Sequence, residues 1–379
     1  MSMTRILSID GGGIRGIIPG QILVTLEKLL QKHSNRKDAR IADYFDLIAG
    51  TSTGGILSII YLCPDHNNPG KPKFTAYDAV RLYSEHGHFI FKSSVLQRFL
   101  SLFGLIGGKY SSKNFDLLLN DYFGDAKLSD LLKPCLITAY DVRTHSTVFF
   151  NKMNAAHSYR RDFLLKDLAR ATSAAPTYFP AANIHSIASV QSNSSNPAIT
   201  ARSFITSIFP ESPRDSKASA SPLYKATTSN YSLIDGGVFA SNPTLCAYTE
   251  ATKLDGNPGI EDMLILSLGT GAFKPDPQNK NVANWGILQW AIPLFNIIMS
   301  GVSETVDYQI NLLYKSLNKS DQYLRIQPSL KGLGKNIHEM DNTTPSNISL
   351  LKKIGIDVSN SYYTKLDNFA KLLVFHEMP

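Results

Sequence analysis

Three short stretches stand out for the reactive or anion-binding groups they could present. In the first, Gly11, Gly12, Gly13 and Gly16 crowd "IDGGGIRG" directly behind the strand-like run "RILSI" (5–9). Glycines in that position leave backbone N–H groups able to converge on a negative centre, with a helix N-terminus behind them. Such a centre is either a phosphate or the oxyanion of a tetrahedral intermediate. A dinucleotide site with the G-x-G-x-x-G fingerprint also needs an acidic residue about twenty residues on, closing the second strand. Here Asp43 and Asp46 flank or begin the next strand instead, and Gly12 and Arg15 depart from the plain fingerprint. A nicotinamide-dependent oxidoreductase is therefore disfavoured.

The second stretch favours the oxyanion. Gly50-Thr51-Ser52-Thr53-Gly54 is G-x-S-x-G between a predicted strand and a predicted helix, which is the setting of a nucleophile elbow. A serine nucleophile needs a base. None of the nine histidines follows the elbow in recognisable surroundings: His66 sits in a turn-like segment and His376 is nearly terminal. The carboxylate that is well placed is Asp235 in "SLIDGGVFASNP", the third stretch, at a strand end and followed by two glycines. An aspartate near its ordinary pKa of about 3.9 is a weak base for a hydroxyl, so a Ser-Asp pair needs a dry site and strong oxyanion donation.

Elements must bring these residues together. The runs at 5–9 and 44–50 read as strands, and those at 18–33 and 53–63 as helices. Further apolar runs at 135–142, 231–237 and 263–271 have Gly or Asp at or near their ends, as strands do when they feed active-site loops. Strand and helix in alternation imply a mostly parallel sheet with helices on both faces. The stretch 182–231 is rich in Ser, Asn, Ala and Pro and reads as a long insertion. After Phe273 the pattern is mostly helical, with a polar interruption at 334–347.

The segments "DGGGIRG" (10–16), "GTSTG" (50–54), "ATSAAPTYFPA" (171–181) and "DGGVFASNP" (235–243), in this order and spacing, closely resemble the patatin-like phospholipase family. "LSLGTG" (266–271) and "WGILQWAIPLF" (285–295) resemble the plant and bacterial patatins, so the likeness covers nearly the whole chain. The resemblance implies a three-layer α/β/α hydrolase with a mostly parallel central sheet and a helical C-terminal part. Its catalytic core would span 5–245, with the Ser-rich insertion at about 186–230, and 246–379 would complete the same domain. It implies a calcium-independent lipid acyl hydrolase of the phospholipase A or lysophospholipase type, needing no cofactor and no metal. Ser52 would be the nucleophile, Asp235 the base, and Gly11, Gly12 and Gly13 the oxyanion hole. Arg15, Gly50, Gly54, Gly236 and Gly237 would support them. The substrate would be a phospholipid, lysolipid or galactolipid at a membrane surface, and the insertion leaves room for a protein or ligand activator. The alternative is a non-catalytic storage or lipid-binding protein of the same fold.

Composition fits this frame. With 379 residues, 43% hydrophobic and 18% charged, the chain can bury a large core and is not of the disordered class. The net charge of +7 favours an anionic partner, but the lysines and arginines are scattered, without the basic, aromatic-interleaved patch of a nucleic-acid binder. Cys63, Cys135 and Cys246 lie far apart, without zinc-site or disulfide spacing. "MSMTRILSID" lacks the features of a secretory leader. The expected location is the cytoplasm with transient membrane association, or outside the cell by a route that needs no leader, unless a leader has been removed. Residues 285–302 are too broken by Gln289, Pro293 and Asn296 for a membrane span. That segment and residues 95–110 are either interfacial helices or helices of the core.

Overall fold

The computed structural model describes residues 3–91, 109–189, 230–272, 286–334 and 337–377. Its strands are β1 (Thr4–Ile9), β2 (Leu47–Thr51), β3 (Pro64–Asp65), β4 (Asn68–Pro72), β5 (Cys135–Asp141), β6 (Ser146–Asn151), β7 (Ala182–His185), β8 (Asn230–Asp235), β9 (Met263–Leu268) and β10 (Tyr323–Ile326). Apart from the small β3–β4 pair they form one sheet in the order β10-β9-β1-β2-β5-β8-β7, with β6 beside β5. The five strands from β10 to β5 run parallel, whereas β6 and β8 pair antiparallel with β5, and β7 antiparallel with β8.

The central strands are buried on both faces, which is why "RILSI", "LIAG" and "MLILSL" read as nearly continuous apolar runs. Alternate residues feed two separate cores. Leu7, Ile9, Ile48, Leu264 and Leu266 enter one, and Ile6, Leu47, Ala49, Met263 and Ile265 the other. Helices α1 (Ile17–Ser34), α2 (Thr53–Leu62) and α3 (Ala76–Ile90) cover the first face. Helices α4 (Lys113–Phe123), α5 (Lys152–His157) and α6 (Leu165–Thr172) extend that side. Beyond β8 come the short α7 (Gly237–Ala240) and then α8 (Thr244–Ala251). The second face is closed by α8 and the C-terminal half of the 30-residue α9 (Ile287–Ser316), through Ala247, Ala251, Ile310 and Tyr314. Helices α10 (Pro345–Ser361) and α11 (Tyr363–Phe375) pack back on α1. The result is the expected three-layer α/β/α arrangement with a helical C-terminal part.

Local departures from the sequence reading have physical causes. The second strand begins at Leu47, not residue 44, because Tyr44 and Phe45 are spent as fully buried plugs of the preceding 3-10 turn and loop. Residues 182–185, which composition placed with the insertion, are strand β7, paired Ala182 to Leu233 and His185 to Asn230 with β8. The Ser-rich stretch thus departs from the connection between two antiparallel strands, at the sheet edge; residues 190–229 lie outside the described residues. Most of the apolar segment at 95–110 also lies outside them. Among the described residues no helix is long and apolar enough to cross a membrane.

The sheet approaches α2 closely at Gly54, where a Cβ would fall 2.1 Å from the carbonyl oxygen of Ile9. Backbone cannot swing aside as a side chain can, so Gly54→Ala is expected to destabilise the protein by at least about 2 kcal/mol in urea unfolding. Gly301→Ala, at an open helical position on α9, should instead be neutral or stabilise by about 0.5–1 kcal/mol.

Candidate active site

Ser52 stands between β2 and α2 with φ 55° and ψ −124°, a strained conformation for a residue with a side chain. The turn is held from several directions. Its N–H donates to Thr172 Oγ1 at 2.9 Å, and its carbonyl accepts the N–H of Ile56 at 3.0 Å. The chain doubles back so tightly that a Cβ on Gly50 would lie 2.1 Å from the Gly54 carbonyl oxygen. Both glycines of the elbow are therefore close-approach positions, as the sequence expected for a G-x-S-x-G turn.

Strand β5 sets the spacing between Ser52 and Asp235. Thr51, the last residue of β2, pairs with Thr138, and Asp235, the last residue of β8, pairs with Ala139. Adjacent rungs of one strand thus bring together two residues 183 positions apart, and Ser52 and Asp235 line the same pocket. The Asp235 N–H donates to the Ala174 carbonyl at 3.0 Å, and its Oδ1 accepts the Gly237 N–H at 2.7 Å. Gly236 passes over β5 where a Cβ would strike Thr138 Oγ1 at 2.1 Å. Asp235 is 1% exposed, and burial pushes its carboxyl up to about 7; the Ser52 hydroxyl and the Gly237 N–H pull the other way.

The glycine loop lies against the serine: a Cβ built on Gly11 would sit 3.3 Å from Ser52 Cβ. The three glycines do not play one part. Gly11 already donates its N–H to the Ser241 carbonyl at 3.0 Å, whereas the Gly12 and Gly13 amides have no acceptor among the described residues. Gly13 adopts φ +60°, and a Cβ there would lie 2.2 Å from the Met340 carbonyl oxygen, so this position demands glycine. Thr270 Oγ1 donates to the Gly11 carbonyl at 2.7 Å and underpins the loop. Arg15 is 7% exposed and makes long hydrogen bonds to the Gly12 and Gly271 carbonyls at 3.3 and 3.4 Å. Among the described residues it has no carboxylate partner, and desolvation lowers its pKa to about 10.

Above Ser52 and Asp235 is a pocket of about 540 Å³ whose wall is largely apolar, including Ile56, Ile90, Phe115, Phe179, Phe295 and Met299. Among the described residues no histidine lines it. Behind the glycine loop a polar cleft of about 1090 Å³ is lined by Asp10, Arg15, Ser303, Arg325 and Gln327, and it shares Met299 and Met340 with the apolar pocket. No group of three or more His, Cys, Asp or Glu side chains able to hold a metal ion occurs among the described residues.

Several supports were not assigned from the sequence. Asp10, at the root of the loop, is clamped by Arg325 at 2.6 and 2.8 Å and by Ser303 Oγ at 2.9 Å. The segment 171–181 carried a resemblance but no role, yet Thr172 holds the serine and Ala174 the aspartate. Thr270 sits in "LSLGTG", which gave the only advance signal for it. For Arg325 there was none, because its partner is 315 residues away.

With this geometry in hand, the chain can be compared with known proteins. The family profile of patatin-like phospholipases matches residues 7–248. Patatin group J-1 from Solanum tuberosum is 34% identical over 393 residues, covering 98% of this chain and 90% of its own length. Patatin-03 and the protein named probable inactive patatin-3-Kuras 1, both from Solanum tuberosum, are each 33% identical, covering 98% of this chain and 90% and 92% of their own lengths. The crystal structure of VipD from Legionella pneumophila aligns with 97% of this chain and 67% of its own at TM-score 0.36 and 10% identity, a likeness too weak to carry an argument. The matched profile spans well over half of the sequence and the potato patatins match nearly all of it: the chain belongs to the patatin-like phospholipase family.

Proposed function

We propose that this protein is a lipid acyl hydrolase that works through a Ser52–Asp235 dyad without a metal ion. One observation carries the reading: a serine on a strained strand-to-helix turn and a buried carboxylate of raised pKa share the floor of one apolar pocket. Asp235 takes the Ser52 Oγ proton as Oγ attacks the ester carbonyl. The oxyanion of the tetrahedral intermediate is received by the unengaged Gly12 and Gly13 amides, with Gly11 fixing the loop through Ser241. Collapse expels the alcohol, which takes the proton from Asp235, and water then releases the fatty acid by the same sequence in reverse. The apolar pocket suits an acyl chain. The polar cleft suits the alcohol portion of a phospholipid, lysolipid or galactolipid, and Arg15 braces the wall between them.

A second reading is a storage or binding protein of the same fold, favoured by the relative whose name marks it as probably inactive. Fatty-acid release from mixed phospholipids and monoacyl lipids in EDTA separates the two. Release is expected, and Ser52→Ala and Asp235→Asn should each lower it by about 10³-fold or more while both variants stay folded. No release by the parent, or release unchanged in Ser52→Ala, would sink the hydrolase reading.

The Asp235 shift also fixes two pH dependences. The base must be ionised, so kcat/KM should rise with pH through about 7. Between the ordinary carboxylate range and about 7 the folded protein keeps a proton that the unfolded chain has released. Stability from this group is therefore full below the unfolded pKa and is lost as pH rises through the folded one. Asp235→Asn is expected to melt higher than the parent at pH 8, by up to about 4 kcal/mol, with the difference shrinking towards pH 4. Equal shifts at both pH values in thermal melts would overturn the assignment.

A further inference from the structure

Helix α9 has two apolar faces, and the catalytic pocket accounts for only one of them. Phe295 and Met299 line the pocket, and Met299, Ser303, Ile310 and Tyr314 continue that side as buried residues. On the opposite side Leu294, Ile297, Ile298, Tyr308 and Leu312 are 46%, 52%, 38%, 69% and 52% exposed. At 100° per residue these five fall within an arc of about 100°, along roughly 27 Å of helix. The other residues of that arc, Gly301 and Thr305, are exposed and uncharged. A helix on a water-facing surface normally turns its charged and polar side chains outward. Here the outward stripe is uncharged from end to end and mostly apolar.

We propose that this stripe is the surface by which the protein seats itself on a lipid bilayer, with α9 lying in the plane of the interface. The inference rests on the lipid acyl hydrolase reading for its choice of occupant. Leu294, Ile297 and Ile298 lie in the same helical turns as Phe295 and Met299, so a leaflet touching the stripe also touches the rim of the pocket. That continuity matters energetically. An acyl chain crossing water exposes each of its methylenes, a cost that disappears where the pocket mouth meets the leaflet. Among the described residues no helix is long and apolar enough to cross a membrane. The net charge of +7 draws the protein to an anionic leaflet, and the uncharged stripe then supplies the apolar contact.

The test measures binding without turnover. In a Ser52→Ala background the full chain is sedimented with phosphatidylcholine vesicles, with and without phosphatidylglycerol. The parent is expected to partition onto the anionic vesicles, and Ile297→Asp and Leu312→Asp should each weaken partitioning by about 10-fold or more. With Ser52 restored, both should lose hydrolysis of vesicle lipid while cleaving a soluble short-chain ester within about 2-fold of the parent. Both sites are exposed; should a charge nonetheless lower the melting temperature, Ile297→Ser and Leu312→Ser repeat the measurement with a milder change. Vesicle binding that is absent in the parent, or equal in parent and variants, overturns the proposal. So does a parent that elutes as a dimer and becomes monomeric in Ile297→Asp with vesicle binding unchanged, because the stripe is then a protein contact. Loss of binding in the variants of a protein that releases no fatty acid would overturn the hydrolase reading alone.

Discussion

Keeping one carboxylate dry beside one serine is the constraint on which the site depends. Asp235 is 1% exposed, lines the same pocket as Ser52 and accepts a hydrogen bond from the Gly237 N–H. A buried carboxyl is costly to ionise, and that cost makes it a stronger base than an aspartate in water. The surrounding features keep it both buried and within reach: the register of β5, the passage of Gly236 over Thr138, and the Ala174 carbonyl that fixes its backbone. Segment 171–181 supports Asp235 and Ser52 at once, so displacing it would disturb both residues.

The glycine loop meets a different demand, that of holding donors open without letting the backbone collapse onto them. Its root is fixed by the Asp10–Arg325 pair, where buried charges are matched and further bonded to Ser303 and Ser267. Truncating one partner of such a pair would leave the other buried and uncompensated. Arg15 is held differently. It has backbone carbonyls but no carboxylate among the described residues, and burial lowers its pKa. Thus the loop has a neutralised anchor at one end and a cation near the other, next to where a negative charge would develop during ester cleavage.

Helix α9 links the sheet to the mouth of the pocket. Its C-terminal half closes the second core through Ile310 and Tyr314, whose hydroxyl donates to the Met263 carbonyl at 2.9 Å. Its earlier turns carry Met299, which packs close to both Gly11 and Gly237. One element therefore serves as a layer of the fold, a wall of the site and an exposed apolar surface.

The alternating strands and helices, the glycine loop, the elbow at Ser52 and the strand-end Asp235 are all legible in the amino-acid sequence. Each of these is written in local residue types: small residues where backbone approaches backbone, and unbroken apolar runs where a strand is covered on both faces. Features governed by long-range pairing are not. Residues 182–185 join the sheet because β8 offers them an edge, although their composition reads as insertion. Gly11 differs from Gly12 and Gly13 because the Ser241 carbonyl, 230 residues on, takes its N–H. The basicity of Asp235 likewise belongs to its burial, and the role of Arg325 to an ion pair that closes across the sheet. Local chemistry is legible one residue at a time, whereas burial, register and ion pairing exist only once distant segments have met.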